Sequence, residues 1–185
     1  MKDKQIILKN QINNFLRKEQ LIKNEEYKKL EKPYLMKARK NLTIASLLLK
    51  ISEEEEIKKM LSLTSYFEMY DWVIIISYYA MYTSALSALA KLGFKSKSHA
   101  TTITVLEYNY VNKSKGERVL ETKNIHNLTK AYTLSEQLII KLMETKTKRE
   151  TAQYDATSNI TKEMAKTALD DADKFITNIE EVISR

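Results

Sequence analysis

Residues 72–90, WVIIISYYAMYTSALSALA, form a run of nineteen residues without a charge, bounded by Asp71 and Lys91. A run of this length is typical either of a membrane-spanning helix or of a helix that is buried on all sides. Hydroxyl side chains recur along the run, and its N-terminal side carries Glu68 and Asp71 rather than a basic cluster. These features favour the buried central helix of a soluble bundle and predict no membrane contact.

Small residues mark one side of this predicted helix. Ala80, Ser84 and Ala88 recur at a spacing of four, so they lie on one face. A row of small side chains lets a neighbouring helix approach closely. The run is therefore predicted to contact other helices on several sides.

Composition restricts the fold class. The chain of 185 residues has a one-domain length, and it contains two Gly, one Pro and no Cys. Sheets and tight hairpins use Gly and Pro often, so we predict an all-α, antiparallel up-and-down bundle of five to six helices. The N-terminus has no apolar run long enough for a signal sequence, so the predicted location is the cytoplasm.

The predicted elements follow the apolar periodicity. A charged helix over residues 3–31 ends at Lys32-Pro33, and a second helix covers residues 34–51. Helix then resumes near Ile57 or Ser65 and continues to Gly93.

The second half of the chain is less regular. Residues 101–105 are β-branched and read locally as a strand, but no second strand is evident to pair with them. We therefore predict a helix there, capped by Ser96 or Ser98. A polar loop over residues 112–123, a helix from Asn124 and a final helix from about Ile160 complete the pattern.

The net charge of +7 is uneven. Residues 1–50 hold 13 Lys+Arg and 5 Asp+Glu, whereas residues 51–185 hold 18 and 19. We divide the chain into a basic N-terminal helix, 1–32, and a helical bundle, 33–185. The basic helix is compatible with contact to nucleic-acid phosphates, but a solvated, Lys-rich helix has the same composition.

Short loops predict which groups converge. If neighbouring helices are antiparallel, the 93–98 and 145–155 loops share one end of the bundle, and the 52–56 and 112–123 segments share the other. The first end would collect basic residues, His99 and Arg149. The candidate nucleic-acid-binding residues there are Lys91, Lys95, Lys97, Lys146 and Lys148.

The residue types exclude several kinds of site. His99 and His126 are the only histidines, and no metal-binding pair, glycine-rich phosphate loop or hydrolase elbow is present, so no metal or cofactor is predicted. An arginine that binds phosphate and a histidine that moves a proton remain available, as in RNA cleavage without metal. The alternative is local: Arg149 pairs with a nearby carboxylate, and His99 only begins a helix.

Three segments together resemble the HEPN superfamily. They are PYLMKARKNLTIASLLLK at 33–50, SYYAMYTSALSALAKLGFKSKSHA at 77–100 and KTKRETAQYDA at 146–156. The resemblance covers about residues 33–183. It implies an antiparallel bundle that usually dimerises, and many members are metal-independent ribonucleases of toxin–antitoxin or defence systems, often encoded beside a minimal nucleotidyltransferase.

The family signature is Arg, four to six residues, then His. Here Arg149 matches the arginine, and Tyr154 stands where the histidine falls at the shortest spacing. The resemblance thus implies an RNA- or nucleotide-binding module that works with a partner and does not itself cut RNA. The alternative is an active ribonuclease in which His99 replaces the missing histidine beside Arg149.

Overall fold

The computed structural model describes residues 2–111, 120–134 and 160–184, with side chains from Lys4 onward. These residues form seven α-helices, one short 3-10 helix and one pair of three-residue strands. The helices are α1 Lys2–Arg17, α2 Glu31–Glu53, α3 Glu55–Met60, α4 Tyr70–Lys91, α5 His99–Tyr110, α6 over residues 122–134 and α7 Lys162–Ile183. The strands are β1 Leu21–Lys23 and β2 Phe94–Ser96, and the 3-10 helix is Glu25–Leu30.

The uncharged run is the central helix, as predicted. Of the 22 residues of α4, 15 are buried, and α2 and α7 provide its most extensive contacts. Among the described residues α4 alone is long and apolar enough to cross a membrane, and 78% of its most apolar window is buried inside the fold. Its burial by neighbouring helices confirms the prediction of a core helix in an all-α bundle.

The two ends of α2 show its direction relative to α4. Ser87 in the C-terminal half of α4 donates a hydrogen bond to the carbonyl oxygen of Glu31, the first residue of α2. Ser52, near the end of α2, accepts a hydrogen bond from the backbone N–H of Met69, just before α4 begins. The two helices are therefore antiparallel.

Charged groups connect α2 to α7. Arg39 donates to both carboxylate oxygens of Glu180 and, at 2.7 Å, to Asp173. Near the other end of α2, a carboxylate oxygen of Glu53 lies 3.2 Å from the ammonium nitrogen of Lys162 and 3.1 Å from that of Lys166. These contacts place the start of α7 beside the end of α2, so the two helices are also antiparallel.

The prediction of a single helix over residues 3–31 is wrong. Helix α1 ends at Arg17, Glu19 takes a φ of 53°, and the chain then enters β1 and the 3-10 helix. Lys32-Pro33 ends no helix either, because both residues lie in the first turn of α2. A proline is tolerated there, since the first N–H groups of a helix have no partner within the helix.

The connection into α4 also differs from its prediction. Helix does not run continuously from Ile57 or Ser65, because α3 ends at Met60 and α4 begins at Tyr70. The buried ammonium group of Lys58 donates to the carbonyl oxygen of Ser65 at 2.6 Å and to Glu55 at 3.2 Å. These hydrogen bonds of Lys58 hold the turn between α3 and α4 in place, and the periodicity of the sequence cannot reveal them.

The predicted grouping of loops is wrong for α5. Gly93 ends the preceding helix with a φ of 75°, as predicted, but β2 then reverses the chain before α5 begins. As a result, His99 at the start of α5 contacts Tyr78, and Tyr110 at its end donates to the carbonyl oxygen of Ala88. Helices α4 and α5 therefore run in the same direction.

This orientation moves the loop that follows α5. The N–H of Leu120 donates to the carbonyl oxygen of Tyr110, so residue 120 lies at the Ala88 end of α4 and not beside the acidic 52–56 segment. The 145–155 loop lies outside the described residues. The described residues on either side of it, Leu134 and Ile160, both pack against the buried cluster that includes Ile74, at the opposite end of α4 from Gly93.

Candidate functional site around His99

Local backbone geometry places His99. Ser98 caps α5, and its side-chain oxygen accepts a hydrogen bond from the N–H of Thr101 at 3.2 Å. Of the two cap candidates, Ser98 is therefore the cap, and the helix predicted over the β-branched residues is confirmed. His99 is the first residue of α5. It lies against the middle of α4 because the chain reverses direction after α4, through β2, before α5 begins.

Three tyrosine rings surround the imidazole of His99. Its ring centroid lies 4.1 Å from that of Tyr82 on α4 and 4.7 Å from that of Tyr132 on α6, with interplanar angles of 38° and 20°. The hydroxyl of Tyr78 forms a hydrogen bond with Nδ1 of His99, and these two ring centroids are 5.5 Å apart. We call Tyr78, Tyr82, His99 and Tyr132 the tyrosine–His99 cluster.

The cluster is partly open to solvent. Tyr78 is buried, whereas Tyr82, His99 and Tyr132 are half-buried. The neighbouring ring of Tyr79, whose centroid lies 5.2 Å from that of Tyr78, is 42% exposed. A nucleobase or another flat ring can stack on such an exposed aromatic face without disturbing the packed rings behind it.

The environment of Tyr82 favours a protonated phenol. Burial raises the pKa of Tyr82 above its ordinary value and outweighs a hydrogen bond with Thr102 that acts the other way. At neutral pH Tyr82 therefore presents a hydroxyl group that can both donate and accept a hydrogen bond. No group of three metal-ligating side chains occurs among the described residues.

The three candidate lysines in the described part of the chain have different environments. Lys91 donates to the carbonyl oxygen of Ile183, so it caps the end of α7. Lys95 is exposed, and its ammonium group lies 5.7 Å from the ring centroid of Tyr27. Lys97 is exposed and precedes His99 by two residues. Lys95 and Lys97 are thus available to a ligand, whereas Lys91 is occupied.

The other candidate residues, Lys146, Lys148, Arg149 and Tyr154, lie outside the described residues. Their expected convergence with His99 stays a prediction. His126, the second histidine, is exposed on α6. The two histidines therefore differ in environment, and His99 is the one that contacts the tyrosines of the cluster.

Sequence reasoning missed Tyr132 as a neighbour of His99. One signal was available, because Tyr78 and Tyr82 are four residues apart and must share a face of α4. What the sequence could not supply was the return of the chain through β2, which brings His99 to that face.

The comparisons with known proteins identify one family. The family model for the HEPN domain matches residues 32–182. No curated protein and no solved structure matches the chain. The match covers most of the 185 residues and includes all of the tyrosine–His99 cluster. The chain therefore belongs to the HEPN domain family.

Proposed function

We propose that this HEPN domain binds single-stranded RNA or nucleotides at the tyrosine–His99 cluster and acts with a partner rather than cutting RNA itself. The family consists of RNA-binding and ribonuclease modules. The observation that carries the proposal is the packing of His99: Nδ1 bonds to the hydroxyl of Tyr78, and the rings of Tyr82 and Tyr132 lie against the imidazole. This environment suits a positioning residue better than a mobile proton carrier.

Replacement of the family histidine supports the same conclusion. Tyr154 stands at that position, and a phenol with an ordinary pKa of about 10 is a weak base at neutral pH. Binding needs no such base. The exposed ring of Tyr79 can stack on a base, and exposed lysines such as Lys97, two residues before His99, can attract phosphates; these are the two interactions that hold single strands without metal.

The exposed ring of Tyr79 provides the cleanest binding test. Loss of one base-stacking ring costs about 1–3 kcal/mol, so Tyr79→Ala should weaken binding of a labelled single-stranded RNA about tenfold, as measured by fluorescence anisotropy. His126→Ala changes an exposed side chain away from the cluster and is the control. Equal affinities for wild type, Tyr79→Ala and Tyr132→Leu would overturn binding at this site.

Cleavage distinguishes the second candidate, a metal-independent ribonuclease that uses Arg149 with His99. Purified protein is incubated with single-stranded RNA and EDTA, and the products are separated on a gel. We expect intact RNA. Cleavage that disappears in both Arg149→Ala and His99→Ala, but persists in Arg17→Ala, would replace the binding proposal with the ribonuclease.

The partners follow from the family resemblance and belong to the proposal. We expect a homodimer in the cytoplasm, and a minimal nucleotidyltransferase as the second protein of a toxin–antitoxin or defence pair. Light scattering coupled to size-exclusion chromatography measures the first. Co-expression with a nucleotidyltransferase encoded beside this gene, followed by purification through a tag on one protein only, tests the second. If the protein is a monomer and does not retain the nucleotidyltransferase during purification, both partner predictions are wrong.

A further inference from the structure

The N-terminal segment lies outside the family match, yet it packs into the same core as the tyrosine–His99 cluster. The match begins at residue 32, whereas α1 and β1 precede it. Leu21, the first residue of β1, is 1% exposed and belongs to the same apolar core as Tyr78 of α4. The rings of Tyr82 and Tyr132 pack against that core. The segment therefore shares a core with the proposed site.

The residues that flank β1 hold both ends of β2, the strand that leads to His99. Before β2, the carbonyl oxygen of Gly93 accepts a hydrogen bond from the N–H of Asn24 at 2.8 Å. After β2, the N–H of Lys97 donates to the carbonyl oxygen of Gln20 at 3.0 Å. The backbone that precedes His99 is therefore bonded to the N-terminal segment at each end of the strand.

A series of contacts leads from Leu21 to His99. Leu21 lies opposite Ser96 in the antiparallel register. The hydroxyl of Ser96 donates to the carbonyl oxygen of Ser98 at 2.9 Å and accepts from the N–H of the same residue at 3.3 Å. Ser98 in turn caps α5, whose first residue is His99. A change in the position of β2 is therefore passed to the start of α5.

Leu21 is the residue that anchors the strand pair. Of the six residues of β1 and β2, all of which the structure describes, Leu21 alone is buried. Two strands of three residues form few hydrogen bonds, and an isolated two-stranded pair is only marginally stable in water. Phe94 of β2 is half-buried against the same core, so Leu21 makes the deeper contact. The position of the pair therefore depends on the burial of Leu21.

We infer that Leu21 is a positioning residue of the proposed RNA-binding site. By anchoring β1 it holds β2, and β2 holds the start of α5. The imidazole of His99 thereby stays against its tyrosine neighbours, and the exposed Lys97, two residues earlier, keeps its place beside them. The inference rests on the proposed function, and it gives a part in RNA binding to a segment that the family match does not include. Without the anchor the binding arrangement is less populated, and the apparent affinity falls in proportion.

Truncation of the anchor is compared with a similar truncation elsewhere. Leu21→Ala and Ile176→Ala each shorten a fully buried aliphatic side chain, but Ile176 packs with Ala38 and Ala80, on the opposite face of α4 from the tyrosines. Both should lower the midpoint of denaturant unfolding. Only Leu21→Ala should shift the His99 imidazole signals in an NMR spectrum. It should also weaken binding of a labelled single-stranded RNA about tenfold, which corresponds to a binding arrangement kept by about one molecule in ten.

Two further variants separate positioning from folding, with circular dichroism used to verify that every variant is folded. Ser96→Ala leaves the core intact but removes both hydrogen bonds to Ser98, so it should shift the His99 signals with little loss of stability. Leu21→Met nearly keeps the volume of the side chain and should retain the wild-type signals and affinity. His126 is exposed on α6, and its signals should stay in place in every variant.

The inference is wrong if the His99 signals stay in place in Ser96→Ala, or if Leu21→Ala lowers the RNA affinity no more than Ile176→Ala does. In either case the proposed function survives as long as Tyr79→Ala still weakens binding. If wild type binds no RNA, the proposed function fails, and the inference fails with it.

Discussion

Two opposite faces of α4 differ in composition and in the residues that they contact. Ala80 and Tyr82 point in directions about 200° apart, since successive residues of an α-helix are separated by about 100°. On the first face, which carries Ala80, Ser84 and Ala88, Ala80 packs with Ala38 of α2 and Ile176 of α7. The second carries Tyr78 and Tyr82 and holds His99. One helix thus provides a close-packed support on one side and the tyrosine–His99 cluster on the other.

The largest effect should come from enlarging a side chain on the small-residue face. Ala80 is fully buried in one cluster with Ala38 of α2 and Ile176 of α7. Ala80→Leu adds three carbons where neither helix can retreat freely, so we expect a loss of about 3 kcal/mol in the free energy of unfolding. Denaturant titration followed by circular dichroism measures it.

The control for this prediction is Tyr79→Leu, on the exposed side of the same helix, which should cost less than about 1 kcal/mol. If Ala80→Leu unfolds at the same denaturant concentration as wild type, the face is not closely packed and the contrast between the two faces fails.

The small-residue face was also the easier one to predict. The uncharged run and the spacing of Ala80, Ser84 and Ala88 depend on local sequence alone, and they correctly indicated a buried central helix. Periodicity detects such a helix because every turn repeats the same environment.

The tyrosine face depends on contacts between residues far apart in sequence. Strands β1 and β2 have three residues each, too few to show an alternating pattern, and they form because residues 21–23 meet residues 94–96. That pairing directs His99 towards Tyr78. A sequence reading could name His99 as a candidate, but it could not place the histidine against Tyr78 and Tyr82, because it assumed that consecutive helices alternate in direction.

Removal of the Tyr78 hydroxyl should release the ring of His99 and lower the stability slightly, without unfolding the bundle. Tyr78 is 1% exposed, and its hydroxyl is bonded to Nδ1 of His99. Tyr78→Phe leaves the ring in place but removes this bond, so we expect a loss of about 1 kcal/mol in the free energy of unfolding. The imidazole signals in an NMR spectrum should shift for His99 and not for His126. Unchanged His99 signals would mean that the hydroxyl does not position the ring.

The two faces should also respond differently to alkaline pH. Burial raises the pKa of Tyr82 in the folded protein, whereas the unfolded chain has the ordinary tyrosine value of about 10. Below about pH 10 the stabilising contribution is complete; as pH rises further, the unfolded chain releases its proton first and stability falls. Tyr82→Phe removes this difference, so the loss of stability between about pH 9 and 11 should be smaller than in wild type.

A matched control for the alkaline measurement is Ser84→Ala, on the opposite face of α4. The hydroxyl of Ser84 donates within its own helix, to the carbonyl oxygen of Met81 at 2.8 Å. The substitution changes no titrating group, so it should leave the alkaline slope unchanged. A wild-type slope in Tyr82→Phe would show that other tyrosines, such as the buried Tyr110, account for the whole response.

The smallest effect, and the one of opposite sign, concerns Ser77 near the small-residue face. Its hydroxyl oxygen is buried and has no hydrogen-bond partner among the described residues, whereas Ser87 donates to the carbonyl oxygen of Glu31 at 2.7 Å. A buried hydroxyl without a partner costs free energy, so Ser77→Ala should be neutral or stabilise the fold by up to about 1 kcal/mol. Ser87→Ala should destabilise it by about 1 kcal/mol, because the acceptor loses its donor. Chemical denaturation of both variants measures the difference, and equal losses would mean that hydrogen bonding is not what distinguishes the two serines.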